Sequence, residues 1–414
     1  MQSTPFYKLE TDSGSITALG LTPDTRYQIL LEVAGAGRDT TIAMEFRSGT
    51  LPPGISGLEL RGTGAPTAGY TITDYTATDG AYIVVFDATG ALAWYRKFAA
   101  EPGESALDAE QQSNGDFTLF VGASTGWQPT AGRFYQVTPG GKSVNTFAAS
   151  GAYFTDPHEL LVDFNAGKVS RTHLFGYDLR HVDLRALGGK EDQLVAGHVL
   201  LRQSAAGTVE FAWSAWDHFA VTDWLFVPRN VANLPNIDFD HPNAIDRDSR
   251  GNYLLSFAAL GEITKIDANT GAIIWRFGGK HNQFEFVGDP FGGFGTQHDA
   301  RFLPNGDILL MDNGQKHSPP ESRAVEYRLN EATHTATMIW EFRQPAGFFS
   351  PFAGSVQRLS QGNTLLAFGA AAHLTEVGAG GSVLWEADLT NDGRRAPFLY
   401  RARRIASLYQ ASAP

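Results

Sequence analysis

The stretch ITKIDANTGAIIWRF, residues 263–277, reads as a short strand, a Gly-containing turn and a second strand closing on a large aromatic. The same unit recurs as YIVVFDATGALAWYRKF at 82–98, FYQVTPGGKSVNTF at 134–147 and VLLRQSAAGTVEFAW at 199–213. It returns as VEYRLNEATHTATMIWEF at 325–342 and LTEVGAGGSVLWEADL at 374–389. Trp94, Trp213, Trp275, Trp340 and Trp385 hold the same place in five copies, and Phe147 holds it in the sixth. A second unit, an Asn/Gly-rich turn followed by an apolar strand, precedes several of these: SNGDFTLFVG at 113–122, RGNYLLSFAA at 250–259, PNGDILLMDNG at 304–314 and QGNTLLAFGA at 361–370. Two units per period make four strands, and four-stranded sheets repeated around an axis form a β-propeller. Six copies predict an all-β fold with six blades over residues 56–414.

Composition agrees. Of 414 residues, 43% are hydrophobic and only 18% charged, with 45 Gly, 28 Phe, 13 Tyr and 8 Trp, a balance of many turns between aromatic-rich strands. The net charge of -12 argues against nucleic acid as a partner, because phosphate binding needs a basic footprint. The absence of Cys removes disulfides, thiolate nucleophiles and zinc–thiolate sites. No apolar run approaches the ~18 residues of a membrane-spanning helix, and the opening MQSTPFYKLE reads as lacking a signal peptide.

Residues 1–55 stand apart. LTPDTRYQILLEV at 21–33 puts Tyr27 just before an alternating strand, as in the tyrosine corner of fibronectin III-like sandwiches. This predicts a small β-sandwich-like segment ending at the turn Leu51-Pro52-Pro53-Gly54. Two long connections, 173–198 and 214–240, interrupt the repeats and are expected to cover a site, with Trp216, His218 and Trp224 as parts of a lid. Asp12-Ser13-Gly14 and Asp312-Asn313-Gly314 read as ordinary turns.

A propeller's inner strands converge on its axis, so polar residues at their entries meet in space. His158 (in DPHELL), His241 (in DHPNAI) and His298 (in TQHDAR) open the third, fourth and fifth blades, and His373 falls in the last. Histidines converging on one axis point to nucleophilic or acid–base chemistry, or to one divalent metal ion held by His158, His241, His298 and His373 beside Gln297. Phe284, Phe286, Phe291 and Phe294 precede His298 and are candidates to line an aromatic pocket, blade packing being the alternative. His173, His181, His198 and His334 fall outside the repeat pattern and read as surface or structural.

The stretches DHPNAIDRDSRGNYLLS, ITKIDANTGAIIWRFGG, TQHDARFLPNGDILLMDNG, SRAVEYRLN, GSVQRLSQGNTLLAFG and TEVGAGGSVLWE, with FAWSAWDHF at 211–219, together resemble the nucleotide-independent arylsulfotransferases and their relatives over about 80–390. The resemblance implies a six-bladed propeller with an N-terminal β domain and a periplasmic or secreted location. It implies sulfuryl transfer from an aryl sulfate to a phenol, without a cofactor, on a small aromatic substrate. His298 matches the family's nucleophile, and His241 and His158 match its other channel histidines. Asn243, Gln297, Arg301, His373, Phe294 and His218 are the expected substrate-binding residues.

One departure stands out. Active members carry an Arg in the strand matching LLSFAALG at 254–261, where this chain has none. Losing a charged donor to the transition state costs on the order of 10²–10³ in rate. Arg171, Arg301, Lys316 and Arg323 are the cations considered as replacements. Three functions therefore compete: sulfuryl transfer through His298, metal-dependent lyase, isomerase or oxygenase chemistry on the axial histidines, and a non-catalytic binding module.

Overall fold

In the computed structural model, residues 17–35, 38–123, 132–234, 237–345 and 347–409 are described. Six sheets of at least four strands, antiparallel except where the short edge strand Glu285–Val287 runs parallel to its neighbour, form a six-bladed propeller, and no α-helix occurs among the described residues. The innermost strands of blades two to six are Glu104–Gln111, Phe154–Asn165, Pro242–Arg247, His298–Phe302 and Ser355–Arg358. Each repeat recognised in the sequence supplies the third and fourth strands of one blade, counted from the axis.

The ring closes twice. Ala402–Ile405, near the C-terminus, is the inner strand of blade one, beside Tyr70–Ala77. Leu58–Gly64, which enters the propeller first, pairs with the outer strand of blade six, Val383–Asn391. Both ends of the repeat are thus held by backbone ladders rather than left as open edges.

The repeated tryptophan has a physical task. The indole N–H of Trp94 donates to Pro139 O (2.9 Å), that of Trp213 to Gly271 O (3.0 Å), and that of Trp275 to Glu331 Oε1 (2.9 Å). In each case the acceptor lies in the outer hairpin turn of the next blade. Each ring buries a large apolar area and satisfies its one polar atom across the blade interface. Trp340 and Trp385 are instead capped by the guanidinium groups of Arg358 and Arg404.

The long connections differ from the loops expected. Most of 173–198 is strand: Lys168–Val182 and Gln193–Ser204 form an extended hairpin in blade three. The 214–240 segment carries three short 3-10 turns, and Trp216, Phe219, Trp224, Val231, Ile237 and Phe239 pack it into the core of blades three and four. Gly197 permits this approach, since a Cβ there would lie 2.6–2.7 Å from Trp216 and Phe239. The two insertions are packed together and deliver side chains to the axis.

At the N-terminus, Arg26–Gly35 and Arg38–Arg47 form a two-stranded hairpin, and Thr22 N–H donates to the Tyr27 hydroxyl (2.6 Å). The first 16 residues, with the Asp12-Ser13-Gly14 turn, lie outside the described residues.

Candidate active site

His158, His241 and His298 meet at the axis. The rings of His158 and His241 lie 4.6 Å apart edge to face, and those of His241 and His298 lie 6.4 Å apart. They stand nine, ten and eight residues ahead of the turn glycines Gly167, Gly251 and Gly306, so they are not register-equivalent. Backbone irregularity makes up the difference. His241 and Thr296 have positive φ (45° and 57°), and bulges interrupt the inner strands between Pro242 and Ala244 and between His298 and Arg301. Such strain and bulging re-aim side chains and concentrate at functional sites.

The partners of each ring fix its proton. The side-chain amide of Asn313 donates to Ser350 O (2.8 Å) and Ala353 O (2.9 Å), so its oxygen must accept. His298 Nδ1–H is the donor, at 2.8 Å. His298 Nε2 therefore carries the lone pair, and it faces Ala353 N–H at 3.2 Å. Burial and the neighbouring His241 charge bring the His298 pKa down to about 3, so the ring is neutral at any working pH.

The other two rings have carboxylate partners. His158 Nδ1–H donates to both oxygens of Asp156 (3.0 Å each), yet burial outweighs that help and holds its pKa below the ordinary value. His241 Nδ1–H donates to Asp238 (2.7 Å). Burial opposes its charge as well, but Asp238 overrides it and holds its pKa above the ordinary value. The His241 side chain is also 35% exposed, against 9% for His158. The site thus joins two rings biased toward the neutral form and one biased toward the imidazolium.

One step further along the same strands lies a closed ion network. Arg401 bridges Asp108 (2.6 Å) and Glu159 (2.9 Å). Arg301 binds Glu159 (2.6 Å), Asp299 (2.9 Å) and Ile245 O (2.7 Å), while Arg403 grips Asp299 with two nitrogens (2.5 and 2.6 Å). Val356 N–H also reaches Asp299 (2.9 Å). The network draws on the inner strands of all six blades.

The remaining expected site residues have other places. Asn243 is buried, its amide nitrogen engaged by Gln297 O (2.7 Å) and its Oδ1 without a hydrogen-bond partner among the described residues. Gln297 likewise commits its nitrogen to Ser256, Phe257 O and Glu262 O. Arg301 belongs to the ion network. Phe294 packs with Phe277, Phe286 and Tyr327 in the core between blades four and five. His218 stacks on Trp213 (4.3 Å, 7°) in a shallow cleft with Phe211 and Thr270, on the outer-strand side of blade three. His373 begins the third strand of blade six, not its inner strand, and is held by Asp388 (2.7 Å) and Gln344 (3.2 Å). It is not brought to the three axial rings.

The cations considered for the missing Arg are mostly engaged. Arg171 pairs with Glu210 on the surface, and Arg323 is fully buried among Asp289, Asp312 and Glu341. Lys316 is exposed, beside Gly295 and Phe226. Among the described residues, two groups bring three donor atoms within 4.8 Å of one another: His198–Asp238–Asp240 and Asp108–Glu110–Glu159. Neither is the histidine quartet expected for a metal, and the second is already bound by arginines.

Three functional residues escaped the sequence reading. Asn313 looked like a turn residue, yet it is buried and orients His298. His198 and Tyr400 also sit behind the site. A signal was present: His158 and His241 each follow an Asp closely, at 156 and at 238 and 240, whereas His298 does not.

A family model described as "Arylsulfotransferase (ASST)" matches residues 131–390. The arylsulfate sulfotransferase AssT of Escherichia coli O6:H1 is 29% identical over 125 residues, 27% of this chain and 20% of that protein. The AssT of Lelliottia amnigena is 29% identical over 93 residues, 20% of this chain and 16% of that protein. The matched region thus spans a fifth or less of these relatives' length. A protein of unknown function from Bacteroides caccae shares the fold at TM-score 0.50 and 14% identity, covering 81% of this chain and 98% of its own. No helix is long and apolar enough to cross a membrane among the described residues.

Proposed function

The chain belongs to the arylsulfotransferase family, and on that premise we propose that it moves a sulfuryl group from an aryl sulfate to a phenol through a sulfo-histidine at His298. The observation that carries this reading is the fixed tautomer of His298, whose Nε2 lone pair is held ready in a neutral ring.

In the first half-reaction, Nε2 attacks sulfur and the S–O bond to the aryl group breaks. The leaving oxygen takes the proton of the His241 imidazolium, which avoids release of a bare phenolate. In the second half, the acceptor phenol gives its proton to neutral His158 and its oxygen attacks sulfur. The S–N bond breaks and the lone pair returns to His298. The proton passes from His158 to His241 across the 4.6 Å ring contact, and the site is reset.

The charge lost with the family's Arg is supplied by His241. Ala353 N–H is placed to donate to a sulfuryl oxygen once the lone pair is engaged. Phe352, 52% exposed and next to Ala353, pairs with Phe398 (5.9 Å) and offers a face for the aryl ring. The reaction needs no cofactor, and the family's location suggests the periplasm or secretion.

The test is initial-rate kinetics with p-nitrophenyl sulfate and a phenol. Parallel double-reciprocal lines, lost with His298→Ala, are expected. Turnover that survives His298→Ala would overturn the reading.

A further inference from the structure

Behind the two proton-handling rings sits a third histidine that faces no substrate. His198 is 1% exposed, in the inserted hairpin of blade three. Its Nδ1–H donates to Asp240 (2.6 Å), with Asp238 at 3.8 Å. Its Nε2 lies 3.3 Å from Asp156, an ion-pair contact outside hydrogen-bond geometry. Its backbone N–H also donates to Asp240 (3.1 Å). The Tyr177 ring covers it at 4.6 Å.

These carboxylates are the ones that hold the active rings. Asp156 binds His158. Asp238 binds the His241 ring, and Asp238 and Asp240 both accept the His241 backbone N–H (2.9 and 3.0 Å). We infer that His198 is a positioning residue, a cationic bridge between Asp156 and the Asp238–Asp240 pair that sets how much of each carboxylate's charge reaches His158 and His241. The kinetic part of this inference rests on the sulfuryl-transfer reading; the titration part does not.

The physical argument is charge sharing. Asp156 faces His158 and His198 at once, so its charge is divided between them. Burial and the His241 charge hold the His158 pKa down, and the His198 charge pulls the His241 pKa down against Asp238. At His198 itself, burial opposes the charge, but Asp240, Asp238 and Asp156 together hold its pKa well above the ordinary value. The charged or titratable groups facing the trio are Asp156, Asp238, Asp240, Tyr177, Tyr400 and the His298 ring, and His298 is neutral. Two rings in contact with separated pKa values are the arrangement that assigns an acid and a base. The long insertions, read from the sequence as covers, have instead carried this histidine and two of its three aspartates to the axis.

The test is an imidazole titration by ¹⁵N NMR of the whole protein, beside the pH profile of kcat/KM. In the wild type, His198 stays doubly protonated through neutral pH, His241 loses its proton above 6.5 and His158 only gains one below it. His198→Gln keeps an amide donor but removes the charge. It is expected to raise the His158 pKa by about one unit, and to shift the acid limb of kcat/KM alkaline by the same amount. The loss grows toward acid pH, up to about tenfold below both pKa values, and is small at pH 8. A neutral His198 in the wild type would overturn the proposal, and that measurement needs no variant. So would a His198→Gln protein that is less stable but has unchanged His158 titration and pH profile. Absence of turnover with every aryl sulfate would sink the functional reading while leaving the titrations to decide this one.

Discussion

Two buried polar groups share the propeller axis, one residue apart along the same strands. Glu159 follows His158, Asp299 follows His298, and Arg401 follows Tyr400. In the ion network the guanidinium groups of Arg301, Arg401 and Arg403 are bound by carboxylates, and three of those carboxylates each serve two arginines or more. In the histidine group, each ring is tied at Nδ1 only, leaving Nε2 free or meeting a single N–H. The first arrangement is closed and fixes the blades; the second is anchored on one side and open on the other. Buried polarity at a propeller axis therefore does not mark a site by itself. What marks it is a group held firmly by one atom and left reactive at another.

The contrast can be broken at its strongest points first. His298→Ala should abolish sulfuryl transfer, a loss of at least ~10⁴-fold as expected for a covalent nucleophile, while the ring stays closed. Arg401→Ala should do the opposite. Leaving Asp108 without its cation and Glu159 with Arg301 alone costs about 3–5 kcal/mol in denaturant unfolding, and activity should fall only as far as folded protein is lost. If Arg401→Ala instead left stability intact and removed activity, the division between the two groups would be wrong.

His241→Gln sharpens the comparison within the histidine group. It should lower kcat by about 10²–10³-fold and remove the alkaline limb of the pH profile. The sign follows from the shifts. His241 works protonated with a raised pKa, so activity falls as pH rises through it. His158 works neutral with a lowered pKa, so activity falls as pH drops through it. Loss of His241 that left a bell-shaped profile would reassign the acid. Asn313→Ala is the smallest effect, a roughly ten- to hundredfold loss in kcat. The Nδ1–H tautomer should persist in the ¹⁵N shifts, because Thr296 O (3.1 Å) still accepts from Nδ1 and Ala353 N–H (3.2 Å) still donates to Nε2.

Much of this was legible before the structure. The repeat at 263–277 and its copies announced the blades, because an aromatic at one fixed place per period is what an inter-blade contact requires. Their places at the openings of the third, fourth and fifth blades, just before apolar strands, located His158, His241 and His298. His373 was misplaced because its neighbours resemble an inner-strand entry, while the true entry of blade six is the Ala353–Gly354 segment, which carries no histidine. Phe294, His218 and Arg301 were credited with substrate contacts by proximity in sequence; packing and charge pairing claimed them instead. Asn313 and His198 were invisible because their roles depend on what lies across a blade boundary. No local pattern encodes that contact, although the aspartates before His158 and His241, and their absence before His298, did separate the rings by charge partner.

The central claim is that His298 Nε2 forms a bond to sulfur. The most direct measurement is the mass of the protein after brief mixing with an aryl sulfate and no acceptor, quenched at high pH and mapped by peptide. The account predicts one sulfuryl group on His298, discharged when a phenol is added and absent from His298→Ala. Full turnover with no such adduct, or an adduct on another residue, would contradict it.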